Sequence, residues 1–311
     1  MTPAATSFEE PRRIRTPKLS RLYLGAALDA ARNTISSSGN LRVLPQAPVL
    51  ASHPGITLEQ VEQYRALFGG EVFDGVHRRS LPSVLVHIAA FPVQMALMSQ
   101  DDFPLQLMGM VHLSNQVEHH QPIGAEEALQ ILARAENLRA HRRGTQVDIV
   151  VEIFSADVDV TADGGTQPLW SSVSTYLNRG TYLAGKPDRN DEQGPAFVPP
   201  TKTASWKLGT DAGRAYAAVS GDYNPIHVSS LGAKALGMPS AIVHGMYSAG
   251  RMLEGREPEQ AGHRWSIHFE APVTLPATVA FAAEEVDDHT IRFTGWNPRK
   301  VRRHFTGELI I

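Results

Sequence analysis

The chain has 311 residues, which exceeds the roughly 100–200 residues of a typical domain, so two core-forming units or one duplicated unit is the natural expectation. Its formal net charge of -3 and charged fraction of 20% give no field suited to nucleic acid, and the absence of cysteine excludes disulfides, thiolate metal sites and a cysteine nucleophile. Any chemistry must therefore use His, Asp, Glu, Ser, Tyr or backbone groups.

The start of the chain and its longest apolar stretch give expectations about location. The N-terminal segment has mixed charges and no apolar core, so it does not fit a signal peptide, and we expect a cytoplasmic protein. The stretch from Pro82 to Met98 is interrupted by Pro92 and is shorter than the roughly 20 residues that span a bilayer. It is predicted to be a buried helix, and no membrane span is expected.

The two halves of the chain share an ordered set of features. The segment Leu81-Pro-Ser-Val-Leu-Val-His87 resembles Met238-Pro-Ser-Ala-Ile-Val-His244, and the same distance of 157 residues separates the matching prolines and the matching histidines. Each copy runs into an apolar helical stretch and then into an alternating segment, Met110-Val-His-Leu-Ser in the first half and Ser266-Ile-His-Phe-Glu in the second. Duplication explains this shared order better than coincidence does.

Several segments after each helical stretch alternate between apolar and polar residues, as strands do. Strands that follow a helix favour an α+β fold with an antiparallel sheet. The segment from Tyr182 to Thr203 is rich in Gly, Pro and charge and is predicted to be a linker. The predicted strands lie near Val111–Val117, Glu127–Ala133, Gln146–Ala156 and Trp170–Asn178 in the first half, and near His263–Phe269, Thr278–Val286, Thr290–Trp296 and Val301–Ile311 in the second.

The segment with the richest chemistry contains Asp222 and His227. A helix is predicted over Thr210 to Val219, Gly221 can end it, and Asn224-Pro225 forces a turn because a residue before proline avoids the helical region. The carboxylate and the imidazole therefore lie at the two ends of one stiff loop, close enough to hold one water between them. An ionised Asp and a titratable His suit the addition of water across a double bond that is conjugated to a thioester.

That reaction also needs a hydrogen-bond donor for the developing enolate oxygen. His244-Gly245 stands at the predicted start of the second apolar helix, where backbone N–H groups are unpaired and the helix dipole favours negative charge. Gly245 has no side chain to keep a thioester oxygen away from this backbone. We interpret its amide as an oxyanion hole and His244 as a packed histidine at the helix start.

These residues resemble the signature of the MaoC-like, (R)-specific enoyl-CoA hydratases. The signature is an aromatic residue, two further residues, an aliphatic residue, Ser-Gly-Asp, any residue, Asn-Pro, an aliphatic residue, His, five residues and Ala. The resemblance implies that Asp222 and His227 are the catalytic dyad, that Asn224 supports the site and that the amide of Gly245 forms the oxyanion hole. Every position is satisfied, by Tyr216, Val219, Ser220, Gly221, Asp222, Asn224, Pro225, Ile226, His227 and Ala233.

The same resemblance implies an α+β double hotdog fold, with two long central helices wrapped by one continuous antiparallel sheet. Residues 1–183 would form an N-terminal hotdog unit with an N-terminal extension, 184–204 a linker, and 205–311 the catalytic unit. The first unit departs from the motif, because Asp74 and His77 are three residues apart and Ile88 stands where the second unit has Gly245. It is expected to be catalytically silent and to accommodate the acyl tail, which leaves one active site per chain.

The implied reaction is the reversible hydration of trans-2-enoyl thioesters to (3R)-3-hydroxyacyl thioesters of fatty acid metabolism, carried by CoA or acyl carrier protein. No cofactor or metal is expected beyond the CoA or phosphopantetheine of the substrate. A homodimer of double-hotdog chains is compatible with the resemblance. Lys300 and Arg302 are candidates for binding the carrier's phosphates, because alternation along a strand would place both on one face. The alternative is an edge strand protected by charge. A metal at His112, His119 and His120 is a weak hypothesis, since no carboxylate lies at helical spacing.

Two other functions stay open. A hotdog thioesterase would need a carboxylate on the helix near the thioester, whereas Glu254 is predicted at the far end of that helix. A non-catalytic hotdog subunit that only binds acyl thioesters would not need Asp222 and His227. A silent copy is expected to look like the first half of the chain.

Overall fold

The computed structural model describes residues 9–23, 25, 43–68, 80–160, 166–187 and 196–311. Asp74 and His77, which bear on the predicted silence of the first unit, lie outside these described residues. The strands are β1 (Arg12–Arg15), β2 (Val49–His53), β3 (Met110–His119), β4 (Leu129–His141), β5 (Gly144–Ser155), β6 (Trp170–Arg179), β7 (Ala204–Leu208), β8 (His263–Phe269), β9 (Ala277–Asp287), β10 (Thr290–Asn297) and β11 (Arg302–Ile310). The helices are α1 (Leu58–Phe68), α2 (Ser83–Met98), α3 (Ala212–Ser220), α4 (Pro225–Val228), α5 (Ser230–Ala235) and α6 (Gly245–Leu253).

The eleven strands of the described residues form one sheet with the order β1-β2-β4-β5-β6-β3-β8-β11-β10-β9-β7. Apart from β1, this order consists of two matching sets of five strands. In each set, the strand that follows the central helix lies in the middle of the sheet, where β3 pairs antiparallel with β8. The strand that begins each set, β2 or β7, lies on the outer side. The duplication predicted from the sequence is therefore present in the strand order.

The central helix of the first unit, α2, is mostly apolar and has buried residues on all of its sides. Val84, Val86, Val93 and Leu97 have no exposed surface. A helix of this kind is stable only when it is covered on all sides, and α2 packs on β2, β4 and β5 and contacts α6. The prediction of a buried helix here is confirmed.

The expectation of two long central helices is right for α2 and wrong for the second unit. Helix α6 has nine residues, from Gly245 to Leu253. It ends because Glu254 takes an extended conformation with ψ of 124° and Gly255 follows with a left-handed φ of 70°. The three short helices before α6, which are α3, α4 and α5, occupy the chain between β7 and α6.

The sheet also departs from a purely antiparallel arrangement, because β1 pairs parallel to β2. The side chain of Arg12 holds this edge strand in place through hydrogen bonds to Asp102, at 2.6 Å, and to Gln100, at 2.9 Å. Residues 19–23 are helical, and Leu19 is buried in the core. The N-terminal extension therefore packs on the fold along residues 12–23.

The chain between β6 and β7 has little regular structure where it is described. Residues 184–187 and 196–203, which lie within the predicted linker, contain no helix or strand. Strand β7 begins at Ala204, so the last predicted linker residue already belongs to the sheet. None of the described helices is long and apolar enough to cross a bilayer.

Candidate active site

The loop between α3 and α4 has the form that its sequence predicts. Gly221 ends α3 in the left-handed conformation, with φ of 72°, and its N–H group bonds to the carbonyl of Ala217 at 2.8 Å. Asn224 then caps α4, because its side-chain oxygen accepts the N–H of Ile226 at 3.3 Å and Pro225 opens the helix. These two turns bring the segment from Asp222 to His227 to the cavity wall.

Asp222 and His227 lie at a distance that one water can bridge. A carboxylate oxygen of Asp222 and a ring nitrogen of His227 are within 4.8 Å of each other, and two hydrogen bonds of roughly 2.8 Å through one water span such a gap. Nδ1 of His227 donates to the carbonyl of Ile242 at 2.9 Å. The tautomer with a free Nε2 follows from this bond, and Nε2 is left for the cavity that His227 lines.

The charge state of His227 follows from its burial. Burial lowers the pKa of His227, and the charge of Asp222 and the bond to Ile242 only partly oppose that effect. The imidazole is therefore neutral near pH 7, and its Nε2 is an acceptor.

The two oxygens of the Asp222 carboxylate have different surroundings. Oδ1 accepts a short hydrogen bond from the hydroxyl of Tyr23 and another from the N–H of Asn224, at 3.2 Å. Oδ2 lies 3.6 Å from Nε2 of His244, too far for a hydrogen bond. That Nε2 donates instead to the main-chain oxygen of Asp222 at 2.9 Å. Tyr23 was not predicted to be near the site, because 199 residues separate it from Asp222 and it belongs to no motif.

His244 is the buried helix-start histidine that the sequence suggested, and it also supports the dyad. It precedes α6, is 3% exposed, and its ring stacks on that of His227 with 3.7 Å between the ring centroids. Tyr216 packs on the same ring at 4.7 Å. Burial, and then the neighbouring His227, lower the pKa of His244 well below its ordinary value. Because the two imidazoles are nearly parallel, their in-plane lone pairs do not converge on one ion, which disfavours a metal at this cluster.

Gly245 is the first residue of α6, so its N–H group is one of those that a helix leaves unpaired. The ring of Phe269 comes within 2.8 Å of the place where a Cβ of residue 245 would stand. Any side chain here would therefore collide with Phe269. Both residues line the same cavity as Asp222, as the oxyanion-hole interpretation requires.

A cavity of about 830 Å³ joins this polar cluster to the first unit. The part of its lining that comes from α2 and the chain directly after it is mostly apolar. Residues of both units thus line one space, with Asp222 and His227 on the side of the second unit. The apolar lining from the first unit includes Ile88, Phe91, Met95, Met98, Leu107 and Met110.

Lys300 and Arg302, the two candidates for binding the carrier's phosphates, differ in their relation to the cavity. Arg302 is the first residue of β11 and lines the cavity, together with the exposed Arg142, Arg143 and Arg179 of the first unit. Lys300 is not among the lining residues, and the prediction that strand alternation aligns it with Arg302 is wrong. The strand begins only at Arg302, because Val301 has a φ of 48° and belongs to the preceding turn.

The three histidines considered for a metal do not form one cluster. His112 stacks on Tyr176 at 4.7 Å, and His120 bonds to Ser171 at 2.9 Å. His119 instead lies in a second buried group with Glu257 and His263, whose potential ligand atoms are all within 4.8 Å of one another. The sequence near these histidines offers no carboxylate at helical spacing, but the fold brings Glu257 of the second unit next to His119.

Hydrogen bonds within this second group explain it without an ion. His263 faces two acceptors, since Nδ1 is 3.0 Å from the carbonyl of Gln260 and Nε2 is 3.1 Å from Oε1 of Glu257. His119 bonds to the hydroxyls of Ser80 and Ser83 at 3.2 and 3.0 Å. A metal would have to displace these bonds.

Comparisons with known proteins agree on the family. The MaoC like domain matches residues 190–300, which include both members of the dyad. The chain is 33% identical over 271 residues to 3-hydroxyacyl-thioester dehydratase X of Mycobacterium tuberculosis, an alignment that covers 83% of this chain and 90% of that protein. The crystal structure of HtdX of M. tuberculosis superposes with a TM-score of 0.68 at 30% identity and covers 84% of this chain and 98% of its own. A MaoC-like dehydratase from Phytophthora capsici shares the fold, with a TM-score of 0.61 at 15% identity over 85% of this chain and 94% of its own.

Proposed function

From the premise that this chain belongs to the MaoC-like dehydratase family, we propose that it is a hydro-lyase that interconverts trans-2-enoyl and (3R)-3-hydroxyacyl thioesters at Asp222 and His227. The observation that carries the proposal is that a carboxylate oxygen of Asp222 and a ring nitrogen of His227 lie within 4.8 Å of each other, while Nδ1 of His227 and Oδ1 of Asp222 are already bonded to protein groups. This pair of residues lines a cavity to which the first unit contributes many apolar side chains. The arrangement suits the addition of water to an apolar acyl chain.

The thioester carbonyl binds at the start of α6. Its oxygen accepts the N–H of Gly245, where the helix dipole also favours negative charge. Attack on C3 moves electron density through the conjugated system to this oxygen. The hydrogen bond that the oxygen accepts from the N–H of Gly245 therefore strengthens as the enolate forms. A preorganised donor of this kind is worth about 10²–10³ in rate.

The water is held between the two free atoms of the dyad. It donates one hydrogen bond to Nε2 of His227, which is neutral and can accept it, and the other to Oδ2 of Asp222. As the water oxygen bonds to C3, Asp222 takes one proton and the enolate forms. The protonated Asp222 then returns that proton to C2, which collapses the enolate and restores the carboxylate. The balance is one water added, with the hydroxyl on C3 and the proton on C2.

In the dehydration direction the same groups act in reverse order. Asp222 removes the proton from C2, and the acid so formed protonates the departing C3 hydroxyl, which leaves as water. Both transfers occur on the one face of the substrate that meets the loop from Asp222 to His227. The addition and elimination are therefore syn, and family resemblance gives the 3R product.

The cavity supports two further assignments. Its apolar arm beneath α2 accommodates the acyl tail, which gives the first unit a binding role without chemistry of its own. The exposed arginines at the cavity, Arg142, Arg143, Arg179 and Arg302, suit the phosphates of CoA or of carrier-bound phosphopantetheine. We retain Arg302 for this role and do not propose Lys300, which is not among the cavity-lining residues.

The proposal is tested by steady-state hydration of enoyl-CoA substrates of several chain lengths, repeated with carrier-protein thioesters. Asp222→Asn and His227→Ala should each lower kcat by roughly 10²–10⁴-fold, the usual size of an acid–base contribution, while the unfolding transition stays in place. Asp288→Asn removes an exposed turn carboxylate and serves as the matched control with unchanged turnover. Wild-type turnover by both dyad variants would contradict the assignment.

A further inference from the structure

The N-terminal extension brings Tyr23 into the active site. The segment is attached at two points before it reaches the dyad. Strand β1 pairs with β2 at the edge of the sheet, and Leu19 is buried with its δ1 carbon 3.6 Å from the place where a Cβ of Gly221 would stand. One helical turn later, the hydroxyl of Tyr23 donates to Oδ1 of Asp222. The segment that carries Tyr23 to Asp222 is therefore attached to the rest of the fold at two earlier points.

The hydrogen bond from Tyr23 completes the bonding of one carboxylate oxygen. A carboxylate oxygen offers two lone pairs, and Oδ1 of Asp222 accepts both the Tyr23 hydroxyl and the N–H of Asn224. Oδ1 therefore has no lone pair left for substrate. Oδ2 becomes the oxygen that meets the water, and rotation of the carboxylate would have to break both bonds to Oδ1.

Tyr23 is itself held in the donor state. Burial, then the negative charge of Asp222 and the bond to it, raise the pKa of Tyr23 far above its ordinary value. Asn224 acts on the Tyr23 hydroxyl only by lowering its pKa, which is the smallest of the effects on this group. The phenol remains protonated at any working pH.

We infer that Tyr23 is a positioning residue for the hydration reaction, which fixes the Asp222 carboxylate so that Oδ2 faces the water. The inference rests on the proposed function, because it gives Tyr23 a role only through the carboxylate that takes the proton. Without the phenol, the carboxylate can turn about its Cβ–Cγ bond and present either oxygen. Misplacement of a reacting group by about 1 Å can cost as much as 10²-fold in rate.

The test compares Tyr23→Phe with the wild-type chain. Phenylalanine keeps the ring and its packing and removes only the hydroxyl. We expect kcat to fall by about 10–100-fold with KM within about twofold, because the group acts on the geometry of the reacting carboxylate. Tyr223→Phe is the matched control, since Tyr223 adjoins Asp222 in sequence yet its side chain is 54% exposed. It should leave kcat unchanged.

A double-mutant cycle separates this role from a structural one. In an Asp222→Asn background, the further change Tyr23→Phe should alter kcat by less than about twofold, because the carboxylate that Tyr23 positions is already gone. A full additional loss in that background would overturn the inference, since Tyr23 would then act independently of Asp222. A Tyr23→Phe variant with wild-type or raised kcat would also overturn it. If Asp222→Asn alone kept wild-type turnover, the proposed function would fail first, and this inference with it.

Discussion

At the scale of single residues, the chemistry depends on which polar atoms the fold leaves without a bond. Nδ1 of His227 donates a hydrogen bond to the carbonyl of Ile242, and Oδ1 of Asp222 accepts hydrogen bonds from Tyr23 and Asn224. The two remaining atoms, Nε2 and Oδ2, are left for the cavity. A site of this kind loses little energy to reorganisation when the transition state forms, because its acceptors are already oriented.

A substitution at Gly245 tests the role of a single backbone N–H group. Gly245→Ala forces the new Cβ against the ring of Phe269, so the start of α6 must shift and its N–H group moves away from the thioester oxygen. We expect kcat to fall by about 10²-fold in steady-state hydration assays. Gly124→Ala is the control, because the nearest atom to its Cβ is 3.6 Å away. Equal turnover in the two variants would remove Gly245 from the oxyanion hole.

The sequence predicted the local geometry of one short segment. The turn at Asn224 and the position of Gly245 at the helix start follow from local rules about turns and helix ends, and the proposed dyad lies on the same loop. Tyr23 and Phe269 were not predicted, because their contacts with Asp222 and Gly245 join distant parts of the chain. No periodicity or turn signal encodes such contacts, and only the packed fold reveals them.

At the scale of elements, helix α2 depends on a cap from the other unit. Pro82 precedes it and has no side-chain group to bond the first N–H. The buried carboxylate of Glu257, which follows α6, accepts the N–H of Ser83 at 2.8 Å and the Nε2–H of His263 at 3.1 Å. The Glu257 carboxylate thus caps the N-terminus of α2 and links the two units. The apolar pattern predicted α2, but the distant cap could not be read from the local sequence.

Glu257→Ala should therefore destabilise the whole fold. It leaves the N–H of Ser83 at the α2 N-terminus and Nε2 of His263 buried without their acceptor, and each buried polar group that loses its partner typically costs about 1–3 kcal/mol. Urea unfolding followed by circular dichroism measures the loss. Glu254→Ala, three residues earlier in the chain at the C-terminal end of α6, should change the free energy of unfolding by less than about 0.5 kcal/mol. A loss below about 1 kcal/mol for Glu257→Ala would contradict the capping role.

The element scale is also where the sequence interpretation failed most often. The second central helix was predicted to be long, and it has nine residues because Glu254 and Gly255 leave the helical region. Lys300 was placed on a strand that begins two residues later. Both errors concern where an element ends, which depends on backbone angles at one or two residues rather than on periodicity.

At the scale of the whole molecule, a duplicated architecture contains one proposed catalytic site. The matching strand orders place β3 and β8 side by side in the centre of the sheet, so the cavity of the second unit opens directly toward α2 of the first. The constant sequence offset predicted this symmetry, and the apolar lining agrees with an acyl-binding role for the first unit. The shared hydrophobic core, which contains residues of both units, implies that they unfold together.

Buried histidines give the whole molecule a stability that depends on pH. Burial lowers the pKa of His87 to about 3 and that of His112 and His119 to about 4, from 6.5 in an unfolded chain. The unfolded chain therefore binds protons first as the pH falls below 6.5, and it is favoured increasingly down to the folded-state pKa values. At pH 5 each such histidine costs about 2 kcal/mol.

The free energy of unfolding should thus fall between pH 7 and pH 5. Urea titrations at the two values measure the change, with His289→Gln, an exposed turn residue, as a control that should follow the wild-type chain. Equal or greater stability at pH 5 would show that these imidazoles gain protons in the folded state as readily as in the unfolded one.

The central claim is that water adds to an enoyl thioester from the single face that meets Asp222 and His227. Its most direct test is hydration of a short trans-2-enoyl-CoA in deuterium oxide, with chiral analysis of C3 and assignment of the deuterium at C2. We expect a (3R)-3-hydroxyacyl thioester whose C2 deuterium lies syn to the new C3–O bond. A (3S) product, an anti arrangement of deuterium and hydroxyl, or no hydration by the intact chain would contradict the central claim.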